Sequence, residues 1–262
     1  MKKIVLLIAL VVAVAFVIFM NKGDKNKENT SNMLEEAGGI IVDPIEHASL
    51  ILSWGGLTIY ADPVGENLYA GKPAPDIILL TDIHGDHLDT EALQAVATEK
   101  TVIIAPQAVL NEISGKIPED LKAKVSIMVN GELASYLGFS IEAVPMYNLP
   151  ESSESYHTKG RGNGYVIQKG DTRVYISGDT SGIPKMRKLK DIDMAFVAMN
   201  LPYTMSVEEA ANAVLEFKPQ KVYPYHYRTP EGFSDVAKFK QLVAGGNPDI
   251  EVVQLDWYPA HE

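Results

Sequence analysis

The sequence predicts a single α/β domain of layered, mixed β-sheets behind an amino-terminal targeting segment, and three observations carry that prediction. Short apolar runs of strand length recur along the chain, from "SLILSW" (49–54) to the run at 250–254. Segments of helical period alternate with the later runs, "SVEEAANAVLEF" most clearly. The chain has 262 residues, near the upper end of what one hydrophobic core organises, and no repeat or second boundary divides it.

The chain opens with "MKKIVLLIALVVAVAFVIFMNKGDKNKEN", in which two lysines precede an uninterrupted apolar stretch, Ile4 to Met20. As a helix, those 17 residues span about 25 Å, enough for a thin bilayer. Residues 1–20 are therefore a membrane anchor or a signal peptide. The only small-x-small candidate, Ala13-Val14-Ala15, lies inside the apolar run, which favours the anchor. Residues 21–37 are polar, lysine-rich and without period, a tether to the domain at 38–262. Both readings predict an exported domain, anchored facing outside the cytoplasm or, if cleaved, secreted or periplasmic.

The formal net charge is −11; beyond the basic amino-terminal segment the chain carries 18 basic and 32 acidic residues, a net of −14. Such a surface repels phosphate backbones, so nucleic-acid binding is not expected. The chain has no cysteine, which removes disulfides, thiolate metal sites, thiol nucleophiles and lipoprotein anchoring. Any metal site must be built from His and carboxylate, which suits zinc, manganese or iron.

Along the domain, "SLILSW" (49–54) and "LTIYA" (57–61) flank Gly55-Gly56, a hairpin signal. Further strands are expected at 76–80, 101–105, 124–128, 139–144, 164–168, 172–177, 194–198, 221–224 and 250–254. "LDTEALQAVA" has Asp89 as N-cap of a helix. "SVEEAANAVLEF" has Ser206 as N-cap with Glu209 three positions on, a capping box. A third helix runs through "FSDVAKFKQLVA".

The chemistry gathers at strand ends. In "ILLTDIHGDHLD" (78–89) an apolar run ends in Asp82, His84, Asp86 and His87. Residues i and i+2 of an extended segment point the same way, so Asp82 and His84 can share a target. Gly85 permits a sharp turn that brings Asp86 and His87 to it from another side. Four such groups converging would repel and lose hydration without a cation; the alternative is a polar helix cap with solvated side chains. Two later strands close the same way: "TRVYISGDTSG" on Asp179 and "KVYPYHYRT" on His226. Taken alone, each of these is an ordinary turn aspartate or structural histidine.

The order of these groups resembles the metallo-β-lactamase superfamily, in the branch similar to ascorbate-6-phosphate lactonase and N-acyl phosphatidylethanolamine phospholipase D. The resemblance runs from "EHASLIL" and "YADP" through "ILLTDIHGDHLD" and "YISGDT" to "MSVEEAANAV" and "YPYHY". It implies an αββα sandwich of two mixed sheets flanked by helices, with a two-metal site at one sheet edge. The superfamily motif is His-x-His-x-Asp-His, a further His, a bridging Asp and a final His. The resemblance implies His84 at the first metal, Asp86 and His87 at the second, Asp179 bridging, and His226 completing the second site.

This chain departs from the motif twice, both times at the first site. Asp82 stands where the motif has its first His, and Tyr147-Asn148 follow the strand that should deliver the separate third His, which makes both candidates for a metal or substrate contact. Three outcomes are open: an altered first site using Asp82 and a newcomer, a mononuclear enzyme using the second site, or a degraded site. The newcomer is His157, in the polar, glycine-rich stretch 149–163 that reads as a lid loop. His157 either ligates metal, binds an anionic group beside Lys159 and Arg161, or is a solvated loop histidine. His47, in "EHAS", either lies near the site, touching a ligand or facing substrate, or is a hydrogen-bonded structural histidine. Asp62, in "YADP", is expected to orient a ligand histidine, with a turn carboxylate ahead of Pro63 as the alternative. Tyr225 and Tyr227 are expected to pack, and Arg228 is a candidate anion contact.

The expected chemistry is metal-assisted hydrolysis of an ester, lactone or phosphodiester, with one or two divalent ions, zinc first and manganese or iron as alternatives. Asp86 or Asp179 is the expected proton acceptor and donor. The substrate is expected to be a small molecule or a lipid, given an anchor that holds the domain near a membrane. The alternative from another class is an exported metal-binding or ligand-binding domain that keeps the fold without hydrolysis.

Overall fold

The structure, a computed structural model, describes residues 35–37 and 39–259. The expected anchor or signal segment at 1–20 and the tether up to residue 34 lie outside the described residues. Among the described residues no helix is long and apolar enough to cross a membrane.

Two seven-stranded mixed sheets face each other. The first runs β1 (Glu35–Ala37), β2 (Ile40–Glu46), β3 (Ser49–Trp54), β4 (Leu57–Ala61), β5 (Ile77–Leu79), β6 (Val102–Ala105) and β7 (Val125–Ile127) in that order. Strands β1 to β4 pair antiparallel and β4 to β7 parallel. In the second, β8 (Leu133–Tyr136), β9 (Phe139–Met146), β10 (Gly162–Lys169) and β11 (Thr172–Ile176) pair antiparallel. It continues in parallel through β12 (Met194–Ala198), β13 (Lys221–Tyr225) and β16 (Glu251–Val252). A small ribbon, β14 (Arg228–Thr229) with β15 (Gly232–Phe233), stands apart.

The period of two within each strand builds the layers. One face of the first sheet (Leu50, Leu52, Ile59, Ile77, Leu79) meets one face of the second (Ile141, Tyr165, Ile167, Phe196, Tyr223) in a central core. The outer face of the first sheet (Ile51, Tyr60, Ile78, Ile103) packs on α1 (Thr90–Val96), α2 (Gln107–Ile113) and α3 (Glu119–Lys122). The outer face of the second (Val166, Tyr175, Ala195, Val197) packs on α4 (Pro184–Arg187), α5 (Val207–Phe217) and α6 (Val236–Gly246). Three apolar clusters between four layers are the αββα sandwich that the sequence predicts.

The expected cap of α1 is made, Asp89 accepting from the amides of Glu91 and Ala92, and α6 has a cap the sequence analysis did not name, Asp235 accepting from the Lys238 amide. The capping box of α5 is half made: Ser206 accepts from the Glu209 amide at 3.1 Å, but the Glu209 carboxylate turns to the Gly182 amide at 2.8 Å. Glu209 therefore ties α5 to the turn after Asp179 instead of closing its own helix. Strand β1 lies inside the stretch expected as tether; backbone pairing to β2 needs no apolar period, so composition did not reveal it. Strand β2 was hidden by Asp43 and Pro44, which break its apolar run and sit beside a register shift in its pairing with β3.

Candidate metal centre

The ligands that the motif predicts, Asp82, His84, Asp86, His87, Asp179 and His226, all follow the ends of strands, and those ends share one edge of the sandwich. Strand β4 delivers Asp62, β5 delivers Asp82 to His87, β11 delivers Asp179, and β13 delivers His226. The turn between β2 and β3 adds His47, and the loop from β9 to β10 adds His157. Three of these residues, His47, Asp62 and His226, hold left-handed backbone at φ of 56°, 44° and 49°. Such conformations are uncommon for residues other than glycine and concentrate where surrounding structure fixes a functional group.

Among the described residues three groups of candidate ligands form: two lie on either side of the Asp179 carboxylate, and a third, His47–Asp86–His226, shares His226 with one of them. In one of the first two, His87 Nε2 lies 3.1 Å from His226 Nε2 and 3.4 Å from an Asp179 oxygen, and His226 Nε2 lies 3.2 Å from the other. Asp86 closes this group at 3.5 Å from His226 and 3.9 Å from His87. In the other, Asp82 Oδ2 lies 2.9 Å from His84 Nδ1 and 3.8 Å from His157 Nε2, which is 3.3 Å from Asp179. A tetrahedron of about 2.1 Å bonds has edges of about 3.4 Å, so both groups have the dimensions of a coordination shell.

Hydrogen bonding at the far ring nitrogens decides which atoms face inward. His87 Nδ1 meets an Asp62 oxygen at 2.8 Å, so it carries a proton and turns Nε2 towards the cluster. Asp62 is itself held by the Thr81 amide and hydroxyl at 2.7 and 2.6 Å. His157 Nδ1 faces two acceptors, the Asn148 side-chain oxygen and the Tyr203 carbonyl, each at 3.2 Å. Its Nε2 is therefore a lone pair, buried and without a hydrogen-bond partner, as is Asp179 Oδ1. Orphaned lone pairs in a buried site fit a cation.

Charge points the same way. Burial pushes the His87 imidazole towards its neutral form, yet Asp179 and Asp62 outweigh it and raise its proton affinity well above the ordinary value. His226 is raised in the same manner, with Asp179 and Asp86 overriding burial. Burial raises the carboxyls of Asp179 and Asp86, but His226 overrides it at each, helped by His87 at Asp179 and by His47 at Asp86, and both stay below the usual range. The cluster holds an excess of negative charge that a divalent ion would neutralise.

His47 donates from Nε2 to Asp86 at 3.1 Å, with its Nδ1 held 2.8 Å from the Tyr258 hydroxyl. Tyr225 and Tyr227 pack, as expected, against the apolar clusters. Several expectations are corrected. Tyr147 is buried in the core of the second sheet, and Asn148 turns its side chain to the amide and ring of His157, so neither offers an atom to the clusters. Lys159 pairs with Glu151 at 2.8 Å, and Arg161 pairs with Asp82; neither is a free anion contact. His157 is fully buried, not a solvated loop residue. Gly85 keeps an ordinary φ, and a side chain there would meet open space, so the turn does not require it. The reading missed Thr81, Asn200, Tyr203 and Tyr258. Asn200, 3.1 Å from His226 Nδ1, ends an apolar strand as the ligands do and carried the same signal; Tyr258, far off in sequence, carried none.

A family model described as a beta-lactamase superfamily domain matches residues 42–226, most of the chain. The chain belongs to the metallo-β-lactamase superfamily. Within that superfamily it falls among the metal-dependent hydrolases. It is 32% identical over 220 residues to a UPF0173 metal-dependent hydrolase of Pyrococcus horikoshii, covering 79% of this chain and 93% of that one. A solved structure from Parabacteroides distasonis, described as a candidate metal-dependent hydrolase, shares 39% identity, with a TM-score of 0.72 over 82% of this chain and 92% of that one. The metallo-hydrolase Igni18 of Ignicoccus hospitalis, at 21% identity, has the same fold, with a TM-score of 0.69 over 83% and 95% of the two chains.

Proposed function

We propose that this superfamily member holds two divalent ions and hydrolyses a carboxylic ester or lactone. The observation that carries the reading is the pair of donor clusters on either side of Asp179, which belongs to one and meets His157 of the other at 3.3 Å, open to a cavity of about 330 Å³ lined by His84, Asp86, Tyr156, His157, Asp179, Asn200 and Tyr203. The second site is His87, His226, Asp86 and Asp179. The first is Asp82, His84, His157 and Asp179, with Asp82 in place of the motif's first His and His157 in place of its separate third one. A carboxylate in that position tolerates harder ions, so manganese or iron can replace zinc there.

When bound, such ions acidify a water and polarise the oxygen of the bond to be broken. The chain's own groups do the rest. Asp62 and Thr81 fix the ring of His87; Asn148 and the Tyr203 carbonyl fix that of His157. Asp86, half exposed to the cavity and steered by His47, is placed to take a proton from water and return it to the leaving group. The cavity wall carries no Lys or Arg, which supports a neutral acyl substrate over an anionic one. A phosphodiester is the second reading, because Arg228 lines an adjoining cavity of about 280 Å³ that also touches Asp86.

A panel of carboxylic esters, lactones and phosphodiesters, assayed after metal loading, tests the reading. Turnover of an ester or lactone, lost in Asp179→Ala, is expected. Phosphodiester turnover alone would favour the second reading, and no turnover with metal bound would favour a binding domain. The lysine-flanked apolar run at 4–20 supports an exported, membrane-held domain acting on a small-molecule or lipid substrate. Protease accessibility in intact cells and alkaline extraction of membranes test that placement.

A further inference from the structure

We infer that Arg161 is the counter-charge that allows Asp82 to serve at the first metal position, so that the two form one ligand unit in place of a neutral histidine. This rests on the two-metal reading above. Three observations support it. Arg161 grips both oxygens of Asp82, Nε donating to Oδ1 at 3.0 Å and Nη2 to Oδ2 at 2.8 Å. That two-pronged fork is a geometry lysine does not reproduce. Asp82 is fully buried, a position in which an unpaired carboxylate is strongly disfavoured. The same Nη2 donates to the Tyr156 carbonyl at 2.6 Å and lies 3.3 Å from His84 Nε2, so one guanidinium touches both first-site residues of "DIH".

The charges balance around this pairing. Asp82, Asp86 and Asp179 bring three negative charges to the two clusters, whereas the superfamily motif brings two. The guanidinium restores the motif's formal total. Without it the first site holds an extra negative charge and a carboxylate free to rotate away from His84 and His157. Arg161 ends the loop that also carries His157, so one segment supplies both the replacement ligand and the replacement charge. Arg161 is thus a positioning residue, acting on the metal through Asp82.

The opposite arrangement, in which the guanidinium stands in for the first ion and excludes it, predicts the reverse result. The test is metal binding by the full chain, with stoichiometry from elemental analysis and Zn²⁺ affinity from competition with a chromophoric chelator. Wild type is expected to bind two equivalents. Arg161→Ala is expected to keep the second site and weaken the first by about 10–100-fold, the usual loss when a group supporting a metal ligand is removed. Arg161→Lys, which keeps the charge and loses the fork, is expected to weaken it as well. D82H alone leaves Arg161 unpaired beside a neutral ligand, and D82H/R161A is expected to bind the first ion more tightly than D82H. This comparison stands even where Arg161→Ala fails to fold.

First-site affinity in Arg161→Ala equal to or tighter than wild type, with two equivalents bound by wild type, overturns the inference alone. So does a D82H that matches D82H/R161A. A wild-type chain that binds one equivalent overturns the two-metal reading and the inference with it.

Discussion

Asp62 makes no contact with the cavity, yet its carboxylate accepts three hydrogen bonds, from the Thr81 amide, the Thr81 hydroxyl and His87 Nδ1. Its residue sits in left-handed backbone, so the fold tolerates strain to aim it. Asp62→Asn keeps the shape but offers one acceptor oxygen for three donors, and His87 loses the partner that fixes its tautomer. The expected outcome is a second-site metal affinity lower by about 10–100-fold, read by chelator competition; an unchanged affinity would mean that packing alone orients the ring. His47→Ala removes the donor to Asp86 without removing any of the proposed ligands of the two sites. It is expected to keep both metal equivalents and lower kcat by about tenfold or more; loss of metal instead would make His47 a ligand. At this scale the sequence told most where it departed from pattern. Asp82 marked a departure from the superfamily motif, and His157 was visible as a candidate. The partner of Asp82 was not visible, because Arg161 is 79 positions away and only the fold brings the two together.

Strand ends position the site, and the turns that follow them are where single residues decide the geometry. Gly178 precedes Asp179 with φ of +58°, and a Cβ there would meet Met146 Sδ at 2.5 Å and Thr81 Cβ at 3.2 Å. Its amide also donates to the buried Tyr225 hydroxyl at 3.0 Å. Gly178→Ala is therefore expected to destabilise the chain by about 1–3 kcal/mol through strain and overpacking, measured by urea unfolding, and to displace Asp179 from both clusters. Gly85→Ala is the control: with an ordinary φ and open space at its Cβ, stability should stay within about 0.5 kcal/mol of wild type. Equal effects at the two glycines would remove the argument. Strands facing apolar layers on both sides, such as β5 and β12, were legible as continuous apolar runs. The edge strand β8 was not, because half-exposed edge residues are held by backbone pairing and leave little pattern. The short helices α3 and α4, four residues each, are too brief to show a period.

Across the whole molecule, the candidate centre joins the two sheets. Asp62, Asp82, His84 and His87 follow strands of the first sheet, while His157, Asp179 and His226 come from segments attached to the second. Between the sheets lies an apolar interface, tied near the site by the Asn163 amide to the Thr81 carbonyl at 3.0 Å and by the Tyr165 hydroxyl to the Leu80 carbonyl at 2.7 Å. A metal held by the proposed ligands of both sheets would bind only when the sheets are docked, since the unfolded chain does not assemble those groups. Binding to the native state alone stabilises it by about 2.7 kcal/mol when free metal is at 100 times the dissociation constant. For a domain of this size each kcal/mol moves the melting temperature by roughly 2–4 °C, so one saturated site is worth roughly 5–10 °C. Calorimetry of the loaded chain with and without a chelator should show that difference. In Asp179→Asn the shared ligand loses its charge, and the chelator should change little. A melting temperature indifferent to chelator in the wild type would mean that the ligands of the two sheets do not close on a common ion.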